Sequence, residues 1–207
     1  YTSCLVRGMV KVSVREVSAL AINAALYAVG SYATAYIQTP WLVQLRPAVV
    51  IPAVFAVLFG PIVGGLGAAL GTFIASILTY GSPVLTIFSG TPGNFVCFYI
   101  IGKISKPLNW RNFVAATLMG FLAGSIIIGF GLWLLLAKLS FLIPTGTYAY
   151  KAVEGAISSI AKDPATWILN TIVWTLGTGV ICTVFIGTPI LRACEKAFPN
   201  LLTNQEK

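Results

Sequence analysis

RPAVVIPAVFAVLFGPIVGGLGAALGTFIAS, residues 46–76, decides how the chain is read. It opens on an isolated cation and a proline, Arg46-Pro47, and runs apolar to Phe59. A Gly60-Pro61 turn follows, and a second apolar run carries glycines at 60, 64, 67 and 71. Proline fits the first turn of a helix and glycine a sharp break. The stretch therefore predicts two membrane helices joined by almost nothing. The glycines fall on roughly one helix side, continued by Ala75. That pattern favours tight internal packing against the preceding segment or a neighbour.

Composition agrees with a membrane protein. Of 207 residues, 57% are hydrophobic and 9% charged, with a mean hydropathy of +0.91. A soluble domain carries about 25% charged residues, so this chain lacks the polar groups to cover a water-facing surface. One all-α membrane domain over 1–207 is expected. The opening YTSCLVRGMVKV is too polar for the apolar core of a secretory signal. Cys4, Cys97, Cys182 and Cys194 are scattered, in neither a disulfide framework nor a zinc spacing, and read as packing thiols.

Six apolar segments can be drawn, at about 17–38, 46–60, 61–80, 92–104, 112–137 and 165–191. A span needs roughly 20 apolar residues to cross about 30 Å of hydrocarbon. The second has thirteen residues from Pro47 to Phe59, with Pro52 inside, and the fourth is broken by Gly90, Pro92 and Gly93. Short or interrupted segments usually line a cavity, where freed backbone groups find partners. With six spans, the termini and the 103–111 connection share nine of the cations: Arg7, Lys11, Arg15, Lys103, Lys106, Arg111, Arg192, Lys196 and Lys207. Four, Arg46, Lys138, Lys151 and Lys162, face the other way. The positive-inside rule then puts both termini in the cytoplasm. Cations at segment ends meet lipid headgroups and set topology, so the net charge of +8 implies no nucleic acid. The longest outer connection, about 138–164, shows helical periodicity at Tyr150, Val153, Ile157 and Ile160. A short helix across the outer mouth is expected, with Asp163-Pro164 starting the last span.

Several residues are candidates for a site. Arg46 either snorkels to headgroups or faces a ligand, with Trp41 and Gln44 beside it. Asn94 is expected in the first turn of the fourth helix, where the dipole and free N–H groups favour an anion or carbonyl, or else caps a loop; Phe98 follows on its side. On the last span, Trp167, Asn170, Thr171, Trp174 and Thr178 share a face by three-four spacing. Trp167 suits an interfacial anchor. Trp174 lies about two turns deeper and reads as cavity lining. On the first span, Ala21 with Ala25 and Ala24 with Ala28 form two AxxxA pairs, grooves for another helix inside this protein or outside it. Asn23, a lone amide on that helix, needs a partner.

Some chemistries are excluded. There is no histidine, hence no imidazole acid–base or metal site. Glu16, Glu154, Asp163, Glu195 and Glu206 all fall outside the span cores, which argues against a proton- or sodium-coupled carrier. No nucleotide loop appears, and no triad, paired carboxylate or metal cluster supports an enzyme. No cofactor is expected.

With these features the chain resembles the S components of energy-coupling factor (ECF) transporters, small membrane subunits that capture vitamins and related micronutrients. Size, six spans, cytoplasmic termini, a basic N-terminus and above all RPAVVIPAVFAVLFGPIVGGLGAALG carry the resemblance. It implies a plasma-membrane subunit that binds a small nutrient, here aromatic or heterocyclic, for uptake driven by a transmembrane coupling subunit and ATPase partners. It also implies that loops 39–46 and 81–92 gate the pocket and that the whole subunit topples to release ligand. An AxxxA surface on the first helix would dock the coupling subunit, at Ala21 and Ala25 or, in the other register, Ala24 and Ala28. The family's outer pocket would correspond to Trp41, Asn94 and Phe98, with Tyr148, Trp167, Asn170 and Trp174 from the later segments. The lack of histidine departs from the branch that carries cobalt or nickel. The alternative reading is a stand-alone secondary carrier or channel.

Overall fold

The structure is a computed structural model that describes residues 13–35, 39, 41–106 and 108–197. Cys4, Arg7, Lys11, Glu206, Lys207 and the 36–38 end of the first apolar segment lie outside the described residues. Eight α-helices are present among the described residues and no strand. They are α1 (Val14–Ala33), α2 (Val50–Phe59), α3 (Pro61–Tyr80), α4 (Val84–Ile87), α5 (Gly90–Ile104), α6 (Trp110–Trp133), α7 (Tyr148–Lys162) and α8 (Pro164–Ala197). Among the described residues, three stretches are long and apolar enough to cross a membrane: Pro61–Tyr80, Trp110–Lys138 and Pro164–Ala197. Pro47–Phe59 is a shorter apolar helix.

The helix ends are written in the sequence. Ser13 and Glu16 form a reciprocal capping box on α1. Asn109 accepts from the Asn112 N–H at 2.8 Å to start α6, and Thr147 caps α7. Asp163 accepts from the Thr166 N–H at 3.1 Å as α8 begins at Pro164. Hydrogen bonds from Thr166 hold its carboxyl below the usual carboxylate range. A single residue, Gly60 at φ 104°, separates α2 from α3; that backbone favours glycine, and Pro61 then opens α3. Pro52 does not break α2. A 3-10 turn, Pro47–Val49, precedes the helix and Pro52 falls in its first turn, where an N–H would have no helical partner.

The helices pack as an open ring in the order α1, α3, α5, α6, α8, with α2 filling the gap between α1 and α8 and touching α3 and α5 as well. This place explains why α2 is apolar on every side. Close approach depends on glycine. A Cβ at Gly64 would collide with Ala56 of α2, and one at Gly67 with the Asn23 side chain of α1. The stripe on α3 is thus a two-sided packing surface. Asn23 Nδ2 in turn donates to the Val63 carbonyl at 3.0 Å.

Two apolar cores result. The first surrounds α2 and includes Val54, Val57, Phe98, Ile101, Phe113 and Leu191. It lies at the end of the bundle where α5 stops and α6 starts, the end carrying Lys103 and Arg111. The second includes Leu132, Leu136, Ile143, Val153, Ile160 and Trp167. There α7 lies as a lid, burying Ala149, Val153, Ala156 and Ile160. The expected short helix in the 138–164 connection is therefore present.

Candidate ligand-binding site

Because α2 is short, it fills only one end of the ring. A helix rises 1.5 Å per residue, so its thirteen residues with the 3-10 turn reach about 20 Å, well short of the longer helices around it. The space left over is a cavity of about 100 Å³ between the two cores. One water needs roughly 10–15 Å³ by this measure, so the cavity has room for much more than a stray water.

Helices α1, α3, α4, α5, α6 and α8 contribute to its wall, together with the 42–46 loop and the 3-10 turn before α2. From the first core come Tyr27, Val49 and Phe121; from the second, Leu85 and Leu132, with Leu42 and Ile128 packed beside them. Polar side chains share the wall with these apolar ones, and several are held in place. Arg46 Nε donates to Gln44 Oε1 at 2.8 Å, and Gln44 Nε2 donates to Tyr80 Oη at 2.9 Å. This chain ties the 41–46 loop to the end of α3 across the cavity. On the other wall, Asn94 Nδ2 donates to Thr72 Oγ1 at 2.7 Å, and Thr72 donates to the Ala68 carbonyl at 2.8 Å. Ser89, Gly90, Thr175, Thr178 and Gly179, with Val43 and Thr86, complete the lining.

The residues singled out from the sequence separate into groups. Arg46 and Asn94 both line the cavity. Asn94 sits two residues further into the helix than expected, past its first turn, because α5 starts at Gly90 rather than near Pro92. Pro92 falls in the first turn, where its missing N–H costs nothing. Phe98 is fully buried in the first core, edge-on to Tyr27 and Phe121, so it stands behind the wall. Trp41 and Trp174 stack on each other at 6.3 Å and 22°, beside the cavity rather than in it. Trp167 is buried in the second core. The Asn170 amide donates to the Thr166 carbonyl of its own helix at 2.8 Å. Tyr148 lines a separate open cleft between α7 and the ends of α1 and α3.

On α1 the two alanine registers face opposite ways. Ala24 and Ala28 are buried, and a Cβ at Gly71 would lie 2.9 Å from the Ala24 carbonyl. Ala21 and Ala25 are exposed. The exposed side of α1 also carries Ile22, Leu26 and Val29.

The sequence reading passed over Tyr27, Tyr80 and Thr175. A signal for Tyr27 was available: it lies four residues after Asn23, on the side opposite the apolar run Ile22, Leu26, Val29.

The chain matches the family model for the S component of the ECF-type riboflavin transporter over residues 11–186. It belongs to that family. The matched stretch contains every residue that lines the cavity. Comparison with curated proteins found no match, and neither did comparison with solved structures. As an ECF S component the protein is a membrane subunit that binds a small-molecule substrate for a transporter.

Proposed function

We propose that this S component captures riboflavin, or a flavin of the same shape, in the cavity between the two cores. The observation that carries this reading is the composition of the wall. Apolar side chains such as Leu42, Val49, Leu85 and Phe121 offer a slot for a flat ring system. Asn94, Gln44 and Arg46 sit at fixed positions to meet its polar edge. Ligand sites combine an apolar wall with placed polar groups that fix orientation, and this wall holds both. Riboflavin combines a flat tricycle, one carbonyl-rich edge and a hydroxylated chain, and the matching family is named for it. The Arg46 guanidinium carries five N–H donors, and among the described residues only one is engaged, with Gln44.

In this reading the protein crosses the plasma membrane six times, through α1, α2, α3, α5, α6 and α8, with both termini in the cytoplasm. The basic end carrying Lys103 and Arg111 is inner, and the α7 lid is outer. The 41–46 loop gates the cavity, held by Gln44–Tyr80 on one side and Trp41–Trp174 on the other. Ala21 and Ala25 dock the transmembrane coupling subunit, and ATPase partners drive uptake. Native mass spectrometry of the purified protein tests the substrate directly. A bound mass of riboflavin is expected; a different co-purified mass, persisting when riboflavin is supplied, would overturn the assignment.

A further inference from the structure

Two hydroxyls in the cavity wall have no hydrogen-bond partner among the described residues: Tyr27 Oη and Thr175 Oγ1. Tyr27 is fully buried. Its ring is held edge-on by Phe98 at 6.2 Å, and a Cβ at Gly71 would come within 2.9 Å of it. The ring therefore cannot swing away to find water. Buried hydroxyls without partners are rare, and each calls for an explanation.

Thr175 differs from several other threonines of α8. A threonine within a helix commonly donates to the carbonyl four residues back. Thr171 does so to Trp167 at 2.9 Å, Thr178 to Trp174 at 2.6 Å and Thr188 to Val184 at 2.7 Å, all on α8. Thr175 and Thr183, on the same helix, do not. Of these two, Thr175 lines the cavity, so its hydroxyl is the one a ligand there could reach.

We propose that Tyr27 and Thr175 are ligand-contacting residues, one on α1 and one on α8, whose hydroxyls are completed by hydrogen-bonding groups of the bound flavin. The inference rests on the riboflavin reading and adds α1 to the set of helices that select the ligand. It also places a ligand contact on the helix whose opposite face presents Ala21 and Ala25.

The test uses Tyr27→Phe and Thr175→Val, which remove a hydroxyl and keep the shape. Riboflavin affinity is read from quenching of flavin fluorescence, and thermal unfolding is followed without ligand. Each variant should bind riboflavin about tenfold more weakly, since a buried ligand group loses its partner. Ligand-free unfolding temperature should stay level or rise, because an unsatisfied buried hydroxyl is removed. Unchanged affinity in either variant removes that hydroxyl from the site. A parallel fall of ligand-free stability and affinity assigns it a structural role and overturns the proposal. Wild-type protein that fails to bind riboflavin overturns the substrate reading itself, an outcome distinct from both.

Discussion

Trp41 and Trp174 stack with their ring centroids 6.3 Å apart and 22° between planes. One belongs to the 41–46 loop and the other to α8. The pair joins two elements that are far apart in sequence and both border the cavity. A stacked aromatic pair is worth about 0.5–1.5 kcal/mol beyond its buried area. Trp174 remains half-exposed, so its removal should leave the bundle intact while loosening the loop. Trp174→Ala is expected to speed riboflavin dissociation by about three- to tenfold, with little change in unfolding temperature. Stopped-flow flavin fluorescence measures the first and a thermal melt the second.

The α1–α3 contact gives a prediction about stability. The Asn23 side chain occupies the space that a Cβ on Gly67 would need. Gly67→Ala should destabilise the protein by about 1–3 kcal/mol, the usual cost of overpacking. Gly155, exposed on α7 beside the open cleft, has nothing within 4 Å of its added Cβ. Gly155→Ala should instead be neutral or add up to about 1 kcal/mol through helix propensity. Unfolding of both variants in one detergent compares them.

The two alanine registers on α1 should behave oppositely. Ala21→Trp or Ala25→Trp, on the exposed side, should abolish uptake through the coupling partner and leave riboflavin affinity nearly unchanged. Ala24→Trp or Ala28→Trp, on the buried side, should reduce the yield of folded protein. Uptake by the complete transporter, set beside binding by the isolated subunit, separates the two effects.

Thr72 should act on the ligand through Asn94. It accepts from the Asn94 amide at 2.7 Å and fixes its rotamer. Thr72→Val should weaken riboflavin binding by about three- to tenfold, and Asn94→Leu by more. Equal affinities for wild type and both variants, measured by fluorescence titration, would take Asn94 out of the site.

Much of this architecture can be read from local chemistry. Gly60-Pro61 specifies the α2–α3 turn, Asp163-Pro164 specifies the start of α8, and the spacing of Val153 and Ile160 specifies the inner face of α7. Each signal is carried by neighbours in sequence. The site was harder to read. On α8, positions 167, 170, 174 and 178 satisfy three-four spacing, but so do 167, 171, 175 and 178. The helix is apolar nearly all round, so only its packing on α6 decides which set turns inward. That packing brings Thr175, Thr178 and Gly179 to the cavity and sends Trp174 to Trp41. Tyr27 was obscured in the same way, since its role depends on α2 being short enough to leave a space beside it. Arg46 and Asn94 stood out because an isolated cation and an amide are conspicuous in apolar surroundings.

Titration of the purified protein with riboflavin, followed by flavin fluorescence, tests the central claim most directly. Saturable quenching at one flavin per chain, weakened at least tenfold by Asn94→Leu, is the predicted result. Quenching that fails to saturate, or that is the same in wild type and Asn94→Leu, would contradict the assignment of this cavity as the flavin site.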